Sequence, residues 1–140
     1  MTLTEALARR RNGVFFCDGP IAPACRLATP PARHVLLHGA ENRAGLLTAI
    51  GRTLRLPDWF GHNWDALEES LLDLPLGTGG LVLELSGVEA LGRDDPASFR
   101  TLIGILEAAA RQWDDQGVRF LAVITGTRPA GSALESLDPA

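Results

Sequence analysis

The chain has 140 residues, 46% of them apolar and 21% charged, and all 13 of its basic residues are arginine. This composition fits one globular domain long enough to bury a core, and no apolar run approaches the ~18 residues of a membrane span. The formal net charge of −4 is mild but unevenly spread. Residues 1–55 carry eight arginines and three acids, residues 56–92 seven acids and no base, and residues 93–140 five arginines and seven acids. A nucleic-acid binder needs a basic recognition surface, so direct nucleic-acid binding is not expected, whereas an acidic segment suits a basic protein partner.

From the N-terminus, residues 4–11 read as a short amphipathic helix capped by Thr2 or Thr4, and Gly13–Cys17 as a strand ended by Asp18-Gly19-Pro20. Arg9-Arg10-Arg11 ahead of Val14-Phe15-Phe16 has the outline of a signal segment. Its apolar run is three residues before Cys17, against the roughly 7–15 that export requires. A cytoplasmic chain is therefore expected, with Cys17 and Cys25 as free thiols rather than a disulfide. Pro20 to Pro31 holds four prolines and reads as an irregular surface arm. The first 32 residues are either a decorative extension or a source of an added edge strand or a dimerising arm.

His34–Leu37 is a short buried-type strand, and 41–54 a helix with Leu46, Leu47, Ile50 and Leu54 at helical spacing. Gly77-Thr78-Gly79-Gly80 marks a turn before the strand Leu81–Leu85. A helical turn is expected between Ser86 and Leu91. Asp94 or Asp95 caps a long helix that starts at Pro96, buries Phe99, Leu102, Ile103, Leu106 and Ala110, and stops at Gly117. Val118–Thr125 is a further buried strand, and the punctuated tail from Gly126 is expected to be loose. Strands separated by helical crossovers predict an α/β domain with a parallel sheet.

The stretch Leu56–Leu74 carries the chemistry. It holds five acids, Asp58, Asp65, Glu68, Glu69 and Asp73, and no base. Asn63 is a favoured N-cap for a helix beginning at Trp64. With Trp64 at 0° and about 100° per residue, Leu67, Leu71 and Leu74 fall at about 300°, 340° and 280°. Asp65, Glu68, Glu69 and Asp73 fall at about 100°, 40°, 140° and 180°, on the side away from that apolar stripe. Like charges at i,i+4 oppose the helix by roughly 0.2–0.5 kcal/mol per pair. Only Asp65 gains from the dipole at the helix start. A solvated face accounts for this pattern as well as a docking face does; Trp64 lies on the stripe and reads as core.

Catalytic readings are weaker. His62, Asp65 and Glu69 form no recognised metal or catalytic spacing, and the glycine-rich turn lacks the lysine and helix of a phosphate loop. No nucleophile elbow occurs, and His34 and His38 read as structural residues. No catalytic residue, metal site or cofactor is expected.

The motif Leu56-Pro57-x-Trp59-Phe60-Gly61-x-Asn63-x-Asp65-Ala66-Leu67 closely resembles the signature of the barstar family, inhibitors of the ribonuclease barnase. More loosely, the resemblance runs from about Arg33 to Thr125. It implies a three-stranded parallel sheet flanked by helices in residues 33–126, with 1–32 as an N-terminal extension that can add a strand and 127–140 as a tail. It further implies a bacterial, immunity-type function: neutralising a secreted, basic, barnase-like ribonuclease or related nuclease toxin from inside the cell, by filling its active-site cleft with carboxylates. Carried over by position, the partner-binding residues are Trp59, Gly61, Asn63, Asp65, Glu68, Glu69 and Gln112. Glu69 stands where the family has an aspartate, Trp59 where it has a tyrosine, Glu68 where it has a tryptophan, and Gln112 where it has a glutamate. Asp114 or Asp115 could supply the charge missing at Gln112. The alternative is a non-inhibitory interaction module on the same scaffold.

Overall fold

The computed structural model describes residues 1–39, 41–57, 63–129 and 132–139. Its elements in chain order are α1 (Leu3–Ala8), β1 (Gly13–Cys17), α2 (Ala22–Leu27), β2 (Arg33–His38), α3 (Arg43–Thr53), α4 (Trp64–Leu72), β3 (Leu81–Ser86), α5 (Glu89–Asp94), α6 (Pro96–Asp115), β4 (Phe120–Thr125) and β5 (Glu135–Ser136). The strands form one parallel sheet in the order β2-β3-β4-β1-β5. Successive side chains on a strand point to opposite faces, so strands apolar at nearly every position predict a sheet covered on both sides.

Both covers are present over β3, β4 and β1, whereas β2, expected as a buried-type strand, lies at the sheet edge with Leu37 buried and Leu36 53% exposed. On one face Leu81, Leu83 and Leu85 of β3, Phe120, Ala122 and Ile124 of β4, and Val14 and Phe16 of β1 join Leu46, Leu47 and Ile50 of α3, Leu67 and Leu71 of α4, and Leu102 and Leu106 of α6 in one buried cluster. On the other face Val82, Leu121, Val123, Phe15 and Cys17 pack with Leu3, Ala6 and Leu7 of α1 and Ala24 and Cys25 of α2. The result is three layers, and the second helical layer comes from residues ahead of β2.

Three findings enlarge the expected three-stranded core. The N-terminal extension contributes β1, which pairs with β4 from Gly13↔Leu121 to Cys17↔Thr125 and lies inside the sheet rather than at its rim. The stretch read as an irregular arm holds α2, because Pro23 sits in its first turn, where proline is tolerated, and Ala24 and Cys25 are buried. The tail read as loose supplies β5 against Phe15 and Phe16, and buries Leu137. Smaller shifts occur at element ends: α3 begins at Arg43 under an Asn42 cap, α5 runs past Gly92 to Asp94, and β4 begins at Phe120.

Polar side chains fasten the extension to this frame. Asn12 donates through Nδ2 to the carbonyls of Ala110 (3.1 Å) and Val118 (2.8 Å), while its Oδ1 accepts from Phe120 N–H (2.9 Å). Arg119 is 3% exposed. Its guanidinium donates to the carbonyls of Gly79 (3.1 Å), Leu7 (3.4 Å) and Pro30. Burial, and then the nearby Arg10, lower its pKa, yet an arginine stays protonated at any ordinary pH. The predicted glycine turn is sterically obligatory here. A Cβ on Gly79 would lie 2.0 Å from the Pro31 carbonyl oxygen, and Gly80 has φ +70° with the Arg119 carbonyl 2.1 Å from a Cβ.

Candidate functional site

The acidic helix forms where its residues dictate. Asn63 lies in extended conformation (φ −131°, ψ 168°) and its Oδ1 accepts from Ala66 N–H at 2.8 Å, which satisfies one of the first-turn donors of α4. Leu67 and Leu71 are fully buried, and Trp64 packs partly buried against the same cluster. This agrees with the apolar stripe and with Trp64 as core. Asp65, Glu68, Glu69 and Asp73 are all exposed. Among the described residues none of the four is in an ion pair.

One contact fixes how this helix is presented. Trp113, in the last turn of α6, donates its Nε1–H to the Leu71 carbonyl at 3.0 Å. Leu71 lies in the last turn of α4, whose carbonyls have no partner further along the helix, so the indole stands in for the missing donor. Trp113 went unremarked in the sequence, although its spacing from Leu102 and Leu106 puts it on the same stripe of α6. Its neighbour Gln112 is exposed and lines a cleft of 500 Å³ with Ala108, Arg111, Asp114 and Asp115. Asp114 and Asp115, either of which could supply the charge missing at Gln112, line the same cleft.

Of the residues singled out in the sequence, Asn63, Asp65, Glu68 and Glu69 fall on α4 or its cap, and Gln112 falls on the helix packed against it. Trp59, Gly61 and His62, like Asp58 and Phe60, lie outside the described residues. No group of three or more potential metal ligands occurs among the described residues. The two other histidines have local partners, as expected: His34 Nε2 lies 2.7 Å from Glu84 Oε1, and His38 Nδ1 lies 2.5 Å from Ser86 Oγ. The second oxygen of Glu84 accepts from Thr125 Oγ1 at 2.6 Å, so this carboxylate is held between β2 and β4.

Both cysteines are free and buried. Burial pushes the Cys25 thiol up to about 11, and burial likewise raises Cys17. Neither is placed or ionised to act as a nucleophile. No described helix is long and apolar enough to cross a membrane.

No curated protein sequence matches the chain. The profile of the Barstar family, described as barstar (barnase inhibitor), matches residues 31–125, from the residues just ahead of β2 to the end of β4. That span holds the parallel strands β2, β3 and β4, the acidic helix and the helix that braces it, and on this match the chain belongs to the barstar family.

Proposed function

We propose that this protein is an intracellular, immunity-type inhibitor of a secreted ribonuclease, and that α4 and the loop before it occupy the enzyme's basic active-site cleft. The observation that carries this reading is the face of four exposed carboxylates on α4 and its C-cap, unpaired among the described residues and braced from behind by Trp113. A ribonuclease site must attract phosphate, so it is lined with cationic donors; carboxylates take the place of phosphate oxygens there. Asp65 and Glu69 are the central contacts in this reading, with Trp59, Gly61, Asn63, Glu68 and Gln112 around them. The protein itself performs no chemistry in this role.

Titration of a barnase-like ribonuclease, and of other basic nucleases, with the chain tests this proposal. Stoichiometric loss of RNA cleavage with the wild type, and none with the Asp65→Ala/Glu69→Ala double variant, is the expected result. No loss of cleavage across basic nucleases, with or without binding, would exclude inhibition.

A second reading, a non-inhibitory module that binds another basic protein, draws on the neutral Gln112 and the longer Glu69 side chain at positions where the family carries shorter or charged partners. A partner held through the α4 face without loss of nuclease activity would select it.

A further inference from the structure

The two rims of the sheet differ. β5, at one end, is two residues long, whereas β2, at the other, runs for six residues in unbroken register with β3, from Arg33↔Leu81 to His38↔Ser86. In a parallel ladder, alternate residues turn both backbone groups toward the neighbouring strand, and the residues between turn theirs away. Arg33 N–H donates to the Gly80 carbonyl and Gly39 N–H to the Ser86 carbonyl, both at 3.2 Å on the β3 side. The odd-numbered residues of β2 therefore face β3. The N–H and C=O groups of His34, Leu36 and His38 point out of the sheet, and no backbone group among the described residues pairs with them.

This rim lacks the devices that keep an edge strand alone. β2 has no lysine, proline or bulge, and its one permanent charge, Arg33, stands at its first residue. Leu36, in the middle, is 53% exposed, on the side of the sheet it shares with Val82 and the α1 and α2 layer. Leu27 ends α2, the helix that packs beside β2 on that side, and is 79% exposed. Two of the three large apolar residues exposed among the described residues thus belong to this rim and its flanking helix.

A row of outward backbone groups binds a strand, and the chain's own β2 matches it. Two copies related by a two-fold axis meet rim to rim and antiparallel. With Leu36 opposite Leu36 of the second copy, His34 falls opposite His38, and all three outward residues of each strand enter hydrogen-bonded pairs. A centre at Val35 would instead set His38 against Ala32, whose N–H already donates to the Cys25 carbonyl at 3.0 Å. Glu84 and Ser86 of β3 hold the two histidine rings within their own chain. The Leu36 register also sets Arg33 opposite Gly39, next to Glu41 of the second copy. Arg33 and Glu41 are exposed, and neither is in an ion pair among the described residues. Arg43, the next charge along, is set against Asp95, whose pKa Ser98 and then Arg43 lower. Arg26 lies on α2, off the strand. An antiparallel copy therefore matches charge at both ends of the pair.

We propose that β2 is the contact strand of a two-fold dimer, in which two copies join their sheets through antiparallel β2 strands centred on Leu36. Five strands from each copy then form one continuous sheet. The leucines of the pair cover each other on the α1 and α2 side, whereas α4 packs on the opposite face. Both acidic helices therefore stay clear of the Leu36 contact, and the dimer can hold two basic partners at once. The dimer stands whether or not those partners are nucleases.

The test is sedimentation velocity of the intact chain from micromolar to millimolar concentration, with hydrogen exchange read at single amides. A monomer–dimer equilibrium is expected, in which the amides of His34, Leu36 and His38 gain protection as concentration rises. Leu36→Lys and Leu36→Pro should each weaken association at least tenfold. Proline is tolerated there because the Leu36 N–H makes no bond to β3. The monomer's unfolding midpoint tells a lost contact from a lost fold, and the lysine variant, at an exposed position, repeats the test without a backbone change. Asp65→Ala/Glu69→Ala should dimerise as the wild type does. A monomer at every concentration, amides whose protection ignores concentration, or a dimer that survives both Leu36 variants would overturn the proposal. So would growth past two copies, since a rim paired with its own copy is used up.

Discussion

The indole of Trp113 hydrogen-bonds the carbonyl of Leu71, and through this contact the longest helix of the protein holds the acidic one in place. Trp113→Phe keeps most of the apolar contact and removes the donor. We expect a loss of about 1 kcal/mol in urea unfolding, the usual net worth of a hydrogen bond. Slower capture of a basic partner by a less ordered α4 should accompany it. An unchanged unfolding midpoint would show that water replaces the indole without cost.

The acidic face itself gives the most direct prediction. Asp65→Ala and Glu69→Ala should each weaken a basic partner by about 2 kcal/mol or more, chiefly through faster dissociation. Asp73→Ala, nearer the end of α4, should act mainly on the salt dependence of association. Surface plasmon resonance at two ionic strengths separates these outcomes, and equal affinity for both central variants would remove the interface.

Ser70 lies on the buried side of the same helix, 3% exposed, and its hydroxyl has no hydrogen-bond partner among the described residues. An unsatisfied buried hydroxyl is unfavourable. Ser70→Ala is therefore expected to be neutral or to stabilise by up to about 1 kcal/mol. Thermal unfolding reads this without touching the exposed acids; a loss above that size would mean the hydroxyl is satisfied.

Arg119→Met fills similar volume but leaves the carbonyls of Gly79, Leu7 and Pro30 without their donor. A destabilisation of about 3 kcal/mol is expected, of the order of the penalty for orphaning buried polar groups. Protease cleavage within residues 1–32 should rise in parallel, since this side chain joins that segment to the turn ahead of β3.

The thiols provide a pH test. With the Cys25 pKa at about 11, only about one molecule in a thousand carries its thiolate at pH 8. Native protein should resist a disulfide reagent over minutes, and denatured protein should release two equivalents. The folded state prefers the protonated thiol, so it binds more protons than the unfolded chain above the unfolded pKa of about 8.5. Stability is thus fully present below that pH and declines as pH rises toward 11. A fast single equivalent from native protein would contradict the burial of either cysteine.

Much of this architecture was legible from short-range signals. Thr2, Asn63 and Asp95 cap their helices through side-chain oxygens, and the apolar spacing of α4 and α6 separated most of the core from solvent, although Ile103, expected in the core, is only partly buried while Ile105 and Ala109 are buried. The carboxylate face of α4 could be placed because period and polarity agreed. What escaped depends on long-range pairing. No local pattern states that Gly13–Cys17 will lie beside Phe120–Thr125, or that Glu135 and Ser136 will add to it. The prolines of α2 pointed to irregular chain, and only the buried floor beneath Ala24 and Cys25 overrides them. Trp113 was visible as a core residue, but its hydrogen bond to Leu71 required the crossing of two helices to be known.

The place of β1 bears on how the protein comes into being. Its neighbours in the sheet, β4 and β5, are the last two strands in sequence, and Leu3 and Asp138 meet through a backbone hydrogen bond of 2.8 Å. During synthesis the N-terminal residues emerge first, yet Leu3, Leu7 and Phe15 lack most of the sheet they cover, Leu121 and Val123 above all, until residues 120–125 have followed. Pairings this distant in sequence close slowly and leave apolar surface open meanwhile. The outer helical layer must therefore be among the last parts of the protein to settle, so a chain interrupted before β4 would lack that layer.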